Sequence, residues 1–448
     1  MKNITFIILG ATGDLANSRI FPAIHRIACS ENSPKKIAVI GVARKPMTDE
    51  SFRDLFGKST GNPTGKKWKE LRSRIYYFQT DFDTDFGFEE LGSKISEIER
   101  THSIDSVRLF YLATLPEHFE SIARNLKKFC MKKTGRKMVI VEKPFGQNKK
   151  TAVEIELEIK KCFAENEIFR ADHYLAKPIL QKFAFPDKEI LKMKKLLNKE
   201  NVDHVQINIL ENSGIGKRGN FFDRTGTVRD VGQNHLMQML SIIAMNPPKN
   251  KMDIAQEKTD VLNAVSGIKS ENIIFGQYDE YQQENGISLK SKTETFFSAK
   301  IFIDNKRWQG VPFFLRAGKH MGGKLVSIYV KFKQSKKNLP DSIIIQVHPK
   351  SGIFTIQRNK ENGASNTAKI HGPETGIEEE YEFLIKEAIS GSKKIFLNME
   401  EIEKSWKIID KIREKKSVVF TYKKGSFGPE KALTLIENTG RNWFNKIL

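Results

Sequence analysis

Within eight positions the chain sets Arg170, Asp172, His173, Tyr174 and Lys177, so two cations, a carboxylate and two hydrogen-bonding rings share one short stretch. His173, Tyr174 and Lys177 together offer the donors that a phosphate monoester needs. Asp172 supplies an acceptor that either caps a helix start or orients a histidine from elsewhere in the chain. His235 closes the polar run Arg229-Asp230-Val231-Gly232-Gln233-Asn234-His235, which leads into the apolar-periodic Leu236, Met239, Leu240 and Ile243. It stands beside polar neighbours rather than on the apolar stripe, a setting that suits a hydrogen-bonded structural histidine or a general base. Two further clusters stand where apolar runs end: Val141-Glu142-Lys143-Pro144-Phe145-Gly146, in which Pro144 holds Lys143 extended, and Val311 to Lys319 with Lys324 close behind.

A nucleotide site is written near the start. Directly after the apolar run Ile4 to Leu9 comes Gly10-Ala11-Thr12-Gly13-Asp14-Leu15-Ala16. Glycines there let the chain turn tightly and bring backbone N–H groups against a pyrophosphate at a helix N-terminus. Recognition of an adenosine ribose 2′-OH calls for an acid at the end of the second strand, yet Ile40-Gly41-Val42-Ala43 runs into Arg44-Lys45. A guanidinium there favours a 2′-phosphate and hence NADP, with the Thr12 hydroxyl as a further donor. The competing reading is that Arg44 and Lys45 are ordinary surface charges on a basic protein.

Elements of two kinds must carry these groups. Short apolar runs at Ile4 to Leu9, Ile37 to Val42, Ile75 to Phe78, Val107 to Ala113 and Met138 to Val141 read as buried strands. They alternate with helix-like stretches at Leu15 to Ala28, Ser51 to Phe56, Glu89 to Arg100, Phe119 to Met131 and Thr151 to Phe163. This predicts an α/β Rossmann domain, a doubly wound parallel sheet, over residues 1–175. Beyond it, alternating strands at Val202 to Leu210, Thr293 to Ile303, Lys324 to Phe332, Ser342 to Val347 and Gly352 to Arg358 predict a large, mainly antiparallel sheet. Helices at Asp230 to Met245, Glu378 to Ile389 and Met399 to Ile412 make residues 176–448 an α+β domain.

Composition bounds the rest. The 448 residues suffice for two or three domains, and 39 % apolar with 29 % charged residues describes a folded chain rather than a disordered one. Lys plus Arg outnumber Asp plus Glu by 75 to 54, a formal charge of +21 that favours anionic ligands, nucleic acid or an acidic membrane. The lysines are scattered in short groups, which reads as a solvated surface and predicts neither a nucleic-acid nor a membrane partner. Three widely spaced cysteines, Cys29, Cys130 and Cys162, imply no disulfide framework and no metal site. With no stretch approaching ~20 apolar residues, the expectation is a cytoplasmic protein.

Taken in order, GATGDLA, FYLA at Phe110, EKPFG at Glu142, DHYLAK at Asp172, RGNFFD and RDVGQNH around Arg218 to His235, and VPFFLRAGK at Val311 resemble the glucose-6-phosphate dehydrogenase family. The resemblance spans nearly the whole chain, and DHYL-x-K and RD-x-x-QNH are its specific motifs. It implies hydride transfer from the anomeric carbon of glucose 6-phosphate to NADP, giving the lactone, in a homodimer or homotetramer without a metal, and it assigns substrate binding and dimerisation to residues 176–448. His235 then resembles the base, Asp172 its orienting carboxylate, and Lys143 a further catalytic group that also meets the coenzyme. His173, Tyr174 and Lys177 match the phosphate-binding group, and Glu211, Asp230, Lys319 and Lys324 match positions holding the sugar and its phosphate. Gly10, Ala11, Thr12, Gly13, Asp14, Leu15 and Arg44 match the coenzyme site. The chain departs from the family pattern at Arg19, which replaces a lysine, at Ala176, which replaces a glycine, at Pro178 and in FYLATLP. Those changes leave open a related phosphosugar dehydrogenase with another substrate or with NAD, and the +21 charge leaves open, further off, a non-enzymatic NADP-binding protein.

Overall fold

Ile4–Leu9 is buried at all six positions, as a strand must be when helices cover both faces of its sheet. It is β1 of a parallel set that continues with β2 (Ile37–Ala43), β3 (Ile75–Gln79), β4 (Val107–Leu112), β5 (Arg136–Glu142) and β6 (Ile168–Ala171). Their order is β6-β5-β4-β1-β2-β3, so the chain runs outward from β1 to β3 and then returns to the other side of β1 at β4. That reversal opens a crevice at the carboxyl ends of β1 and β4, where Gly10 follows directly. The computed structural model describes residues 3–448 except 86, 106, 132–134, 249, 251–253, 337, 359–364, 373–378 and 417.

Two compact units divide the chain. The first comprises Met1–Gly146, Lys150–Ala176 and Glu378–Met399; the second comprises Gln147–Lys149, Lys177–Ile377 and Glu400–Leu448. The late segment joins the first unit through a short strand, Phe396–Leu397, which pairs antiparallel with β6 at Ala171 and Arg170. The helix expected over Glu378 to Ile389 runs over Glu380–Ser390, and Glu378 itself lies outside the described residues.

In the second unit Val202–Leu210 is the central strand, and it pairs antiparallel with Leu325–Phe332 and parallel with Phe313–Gly318. Ser342–His348, Gly352–Arg358 and Ser365–His371 extend one side, while Phe296–Ile303, Ile273–Tyr278 and Val419–Tyr422 extend the other. Only two of these neighbouring pairs are parallel among the described residues, so the sheet is mainly antiparallel. No helix among the described residues is long and apolar enough to cross a membrane.

Two helices depart from the simple α-helices expected. Residues Ala16–Ile20 form a π-helical turn before the α-helix Phe21–Cys29. Pro22 lacks the N–H that an α-helix would return to Ser18, so the wider register forms just before it. The segment expected as one helix from Asp230 is π-helical over Val228–Leu236 and α-helical only over Met237–Ala244. There the Asn234 side chain intervenes, its Oδ1 accepting the His235 N–H at 2.7 Å and its Nδ2 donating to the Asp230 carbonyl at 3.0 Å.

Candidate functional site

The first unit carries the glycine turn. Gly10 has φ +93°, and a Cβ on it would lie 2.5 Å from the Ala113 carbonyl oxygen. Its N–H donates to the Val42 carbonyl at 2.8 Å, and the Gly13 N–H returns to the Gly10 carbonyl at 3.0 Å. This tight turn leaves Gly13 and Asp14 exposed and Thr12 and Leu15 half-buried, with Ala11 tucked beneath. Gly10→Ala should therefore lower the thermal unfolding midpoint, at a cost above about 1 kcal/mol, and weaken dinucleotide binding measured by titration. Parental stability and affinity in that variant would contradict the geometry.

Arg44 and Lys45 follow β2 and are exposed, and among the described residues neither has an ion-pair partner. Their backbone is held instead: the Gln79 amide donates to the Arg44 carbonyl at 3.1 Å, and the Tyr77 hydroxyl donates to that of Lys45. Two uncommitted cations on a fixed backbone, across from an open glycine turn in the same unit, fit the phosphates of a dinucleotide.

At the end of β5, Glu142 is buried and Lys143 half-buried, with a cis peptide between Lys143 and Pro144. Beyond β6, Asp172 is fully buried and its Oδ1 accepts the Tyr174 N–H at 3.0 Å, capping the short turn His173–Ala176. The rings of His173 and Tyr174 meet edge to face at 5.2 Å. Arg170, counted among the cations of this cluster from sequence, is committed elsewhere. Its guanidinium, 2 % exposed, is clamped by Glu156, with Nε at 2.9 Å, and by Glu165, with Nη1 at 2.7 Å.

The second unit carries the other residues in two groups. Lys319 Nζ donates to both Glu211 oxygens at 2.7 and 2.8 Å and lies 3.8 Å from Asp230 Oδ2. Arg218 Nη2 approaches the same Asp230 oxygen at 3.4 Å. Lys324 and Lys177 both act on His348, where burial first, then their charges, hold the imidazole below its usual range. Sequence reading passed over His348, whose only signal was its place at the end of the strand Ser342–His348.

Lys177 caps the helix Pro178–Ala184, so Pro178 occupies the first turn, where its missing N–H costs nothing. His235 is 4 % exposed on the π-helical segment, a register that recurs where helices present functional groups. Gly232 permits that segment to pack, since a Cβ there would meet the Phe297 ring at 3.0 Å. Arg316 lies apart from these groups. It is fully buried against Asn208 at 3.0 Å, Asn445 at 2.6 Å and the Trp443 ring at 4.2 Å, and burial pushes its guanidinium down to about 9.

Comparison with known proteins agrees with this layout. Residues 7–182 match the family described as glucose-6-phosphate dehydrogenase, NAD binding domain, and residues 190–444 match its C-terminal domain. The chain is 32 % identical to glucose-6-phosphate 1-dehydrogenase of Bacillus subtilis, covering 98 % of each. It is 33 % identical to the cytoplasmic glucose-6-phosphate 1-dehydrogenase 5 of Arabidopsis thaliana, over 98 % of this chain and 91 % of that protein. Among solved structures, a glucose-6-phosphate dehydrogenase in complex with glucose-6-phosphate superposes with a TM-score of 0.88 at 29 % identity, covering 99 % of both chains.

Proposed function

The chain belongs to the glucose-6-phosphate dehydrogenase family, and from that premise we infer that it oxidises glucose 6-phosphate at the anomeric carbon with NADP, yielding the lactone. The observation that carries this reading is the full-length match combined with motif residues gathered at strand ends and helix starts in both units. When bound, NADP supplies the hydride acceptor. Residues of the chain supply the rest.

His235 takes the proton from the anomeric hydroxyl while the C–H bond electrons leave as hydride, so that the carbon–oxygen bond becomes a carbonyl. A carboxylate is needed to stabilise the imidazolium that forms, and Asp172 has that role. His173, Tyr174, Lys177 and Lys324 hold the phosphate, a dianion that suits clustered donors. Glu211, Asp230 and Lys319 meet the sugar hydroxyls, since a neutralised ion cluster offers both donors and acceptors. Lys143 would meet both coenzyme and sugar, and Gly10 to Leu15 with Arg44 would hold the dinucleotide. Residues 1–175 make up most of the coenzyme domain, which the late segment carrying Phe396–Leu397 joins, and the rest of 176–448 is the substrate and dimerisation domain, in a cytoplasmic homodimer or homotetramer with no nucleic-acid or membrane partner.

Two measurements test this. The ratio of kcat/KM for glucose 6-phosphate to that for free glucose should be large, because the phosphate contacts are lost with the phosphate; a ratio near one would contradict the substrate. Arg44→Ala should lower kcat/KM with NADP by about 10-fold or more and leave NAD within about 2-fold, the loss of a charge-assisted pair. Equal loss with both coenzymes would mean that the 2′-phosphate is read elsewhere.

A further inference from the structure

Glu142 is the last residue of β5, immediately before Lys143, and it is buried. Tyr111, fully buried on β4, donates its phenol hydrogen to Glu142 Oε1 at 2.7 Å. The Tyr381 phenol, on the helix Glu380–Ser390, also faces this carboxyl, and each acts on the other's ionisation. The Tyr381 ring also stacks on the His173 ring, with centroids 6.0 Å apart and planes 23° from parallel. All of these residues belong to the first unit.

A glutamine would accept the Tyr111 hydrogen without placing a charge in a buried site, so stability alone does not call for an acid here. We propose that Glu142, held by Tyr111 and next to Lys143, is a positioning residue for the reaction, its carboxylate steering the Lys143 ammonium beside the Tyr381 ring that braces His173. The inference rests on the roles given above to Lys143 and His173.

The charged groups around the carboxyl have opposite effects. Burial is the main influence and raises it, the Tyr111 hydrogen bond and the Lys143 charge lower it, Asp172 raises it and Tyr381 lowers it, leaving it at about 7. Burial first, then the Glu142 charge, keeps both phenols protonated and able to donate; Arg19 and Glu380 also act on Tyr381. Sign follows directly. Above the Glu142 midpoint the carboxylate is charged and holds Lys143; below it the carboxyl is neutral and that attraction is lost.

Glu142→Gln freezes the neutral form. The quantity to measure is the ratio of parental to Glu142→Gln kcat/KM for glucose 6-phosphate against pH, in which the contribution of the shared base cancels. The ratio should rise from about one near pH 5.5 to about 10 near pH 8.5, with its midpoint near 7. Tyr381→Phe keeps the ring but removes the phenol that faces and lowers this carboxyl, so the corresponding midpoint should move up by about half to one pH unit. A purely structural role would lower the thermal midpoint and scale rates equally at every pH. A ratio that stays flat with pH overturns the inference. Should Glu142→Gln fail to fold, a flat parental-to-Tyr381→Phe ratio does the same. Absence of parental turnover would overturn the functional reading and this inference together, whereas a flat ratio beside a normal parent overturns only the inference.

Discussion

His235→Asn lowers kcat by about 10³-fold, near the middle of the range that a positioned proton acceptor contributes, while the Kd for glucose 6-phosphate stays within about 3-fold. Asparagine keeps a hydrogen-bonding group of similar reach on the same π-helical segment, so the pocket is little disturbed. It cannot take up the proton that must leave the anomeric oxygen before a carbonyl can form. Single-turnover rates separate this from a slow release step. Near-parental turnover would remove His235 from the role of base and leave it a buried structural histidine.

Lys177→Ala raises KM for glucose 6-phosphate by about 10- to 100-fold, the equivalent of one charge-assisted hydrogen bond worth about 1.5–3 kcal/mol. The helix it caps should survive, because Lys177 contributes only its carbonyl, which accepts the Leu180 and Gln181 N–H groups at 3.0 Å. Turnover of free glucose, which has no phosphate to lose, should be unchanged. An unaltered KM for the phosphorylated sugar would leave Lys324 as the phosphate partner.

Much of this architecture is legible from local pattern. The bounds of β1 and of the strand Val202–Leu210 emerge from sequence unchanged, the first as an apolar run buried on both faces and the second by its alternation of apolar with polar residues. β6 is harder to read. It has only four residues, and one of them, Arg170, looks like a surface charge until Glu156 and Glu165 are seen to neutralise it. Local pattern also misses the two π-helical segments, since they depend on single events: a missing N–H at Pro22 and a side chain at Asn234 competing with the backbone.

Site residues divide along the same line. Motifs such as DHYLAK and RDVGQNH place Asp172, Lys177, Asp230 and His235 by their density of polar groups. The partners that set their behaviour come from remote parts of the chain. Tyr381 comes to Glu142 and His173 from a helix more than two hundred residues further along the chain, and Trp443 with Asn445 secures Arg316 from the last stretch. Lys319 is legible in sequence only as a cation of the sugar and phosphate site, and the structure adds its partners Glu211 and Asp230, with Arg218 on the latter.

The most direct test of the account is the formation of reduced coenzyme when the purified protein is given glucose 6-phosphate with NADP, and in parallel with NAD. The account predicts sustained turnover with NADP, slower turnover with NAD and lactone as the first product. A folded protein that binds NADP yet reduces neither coenzyme with glucose 6-phosphate would contradict it.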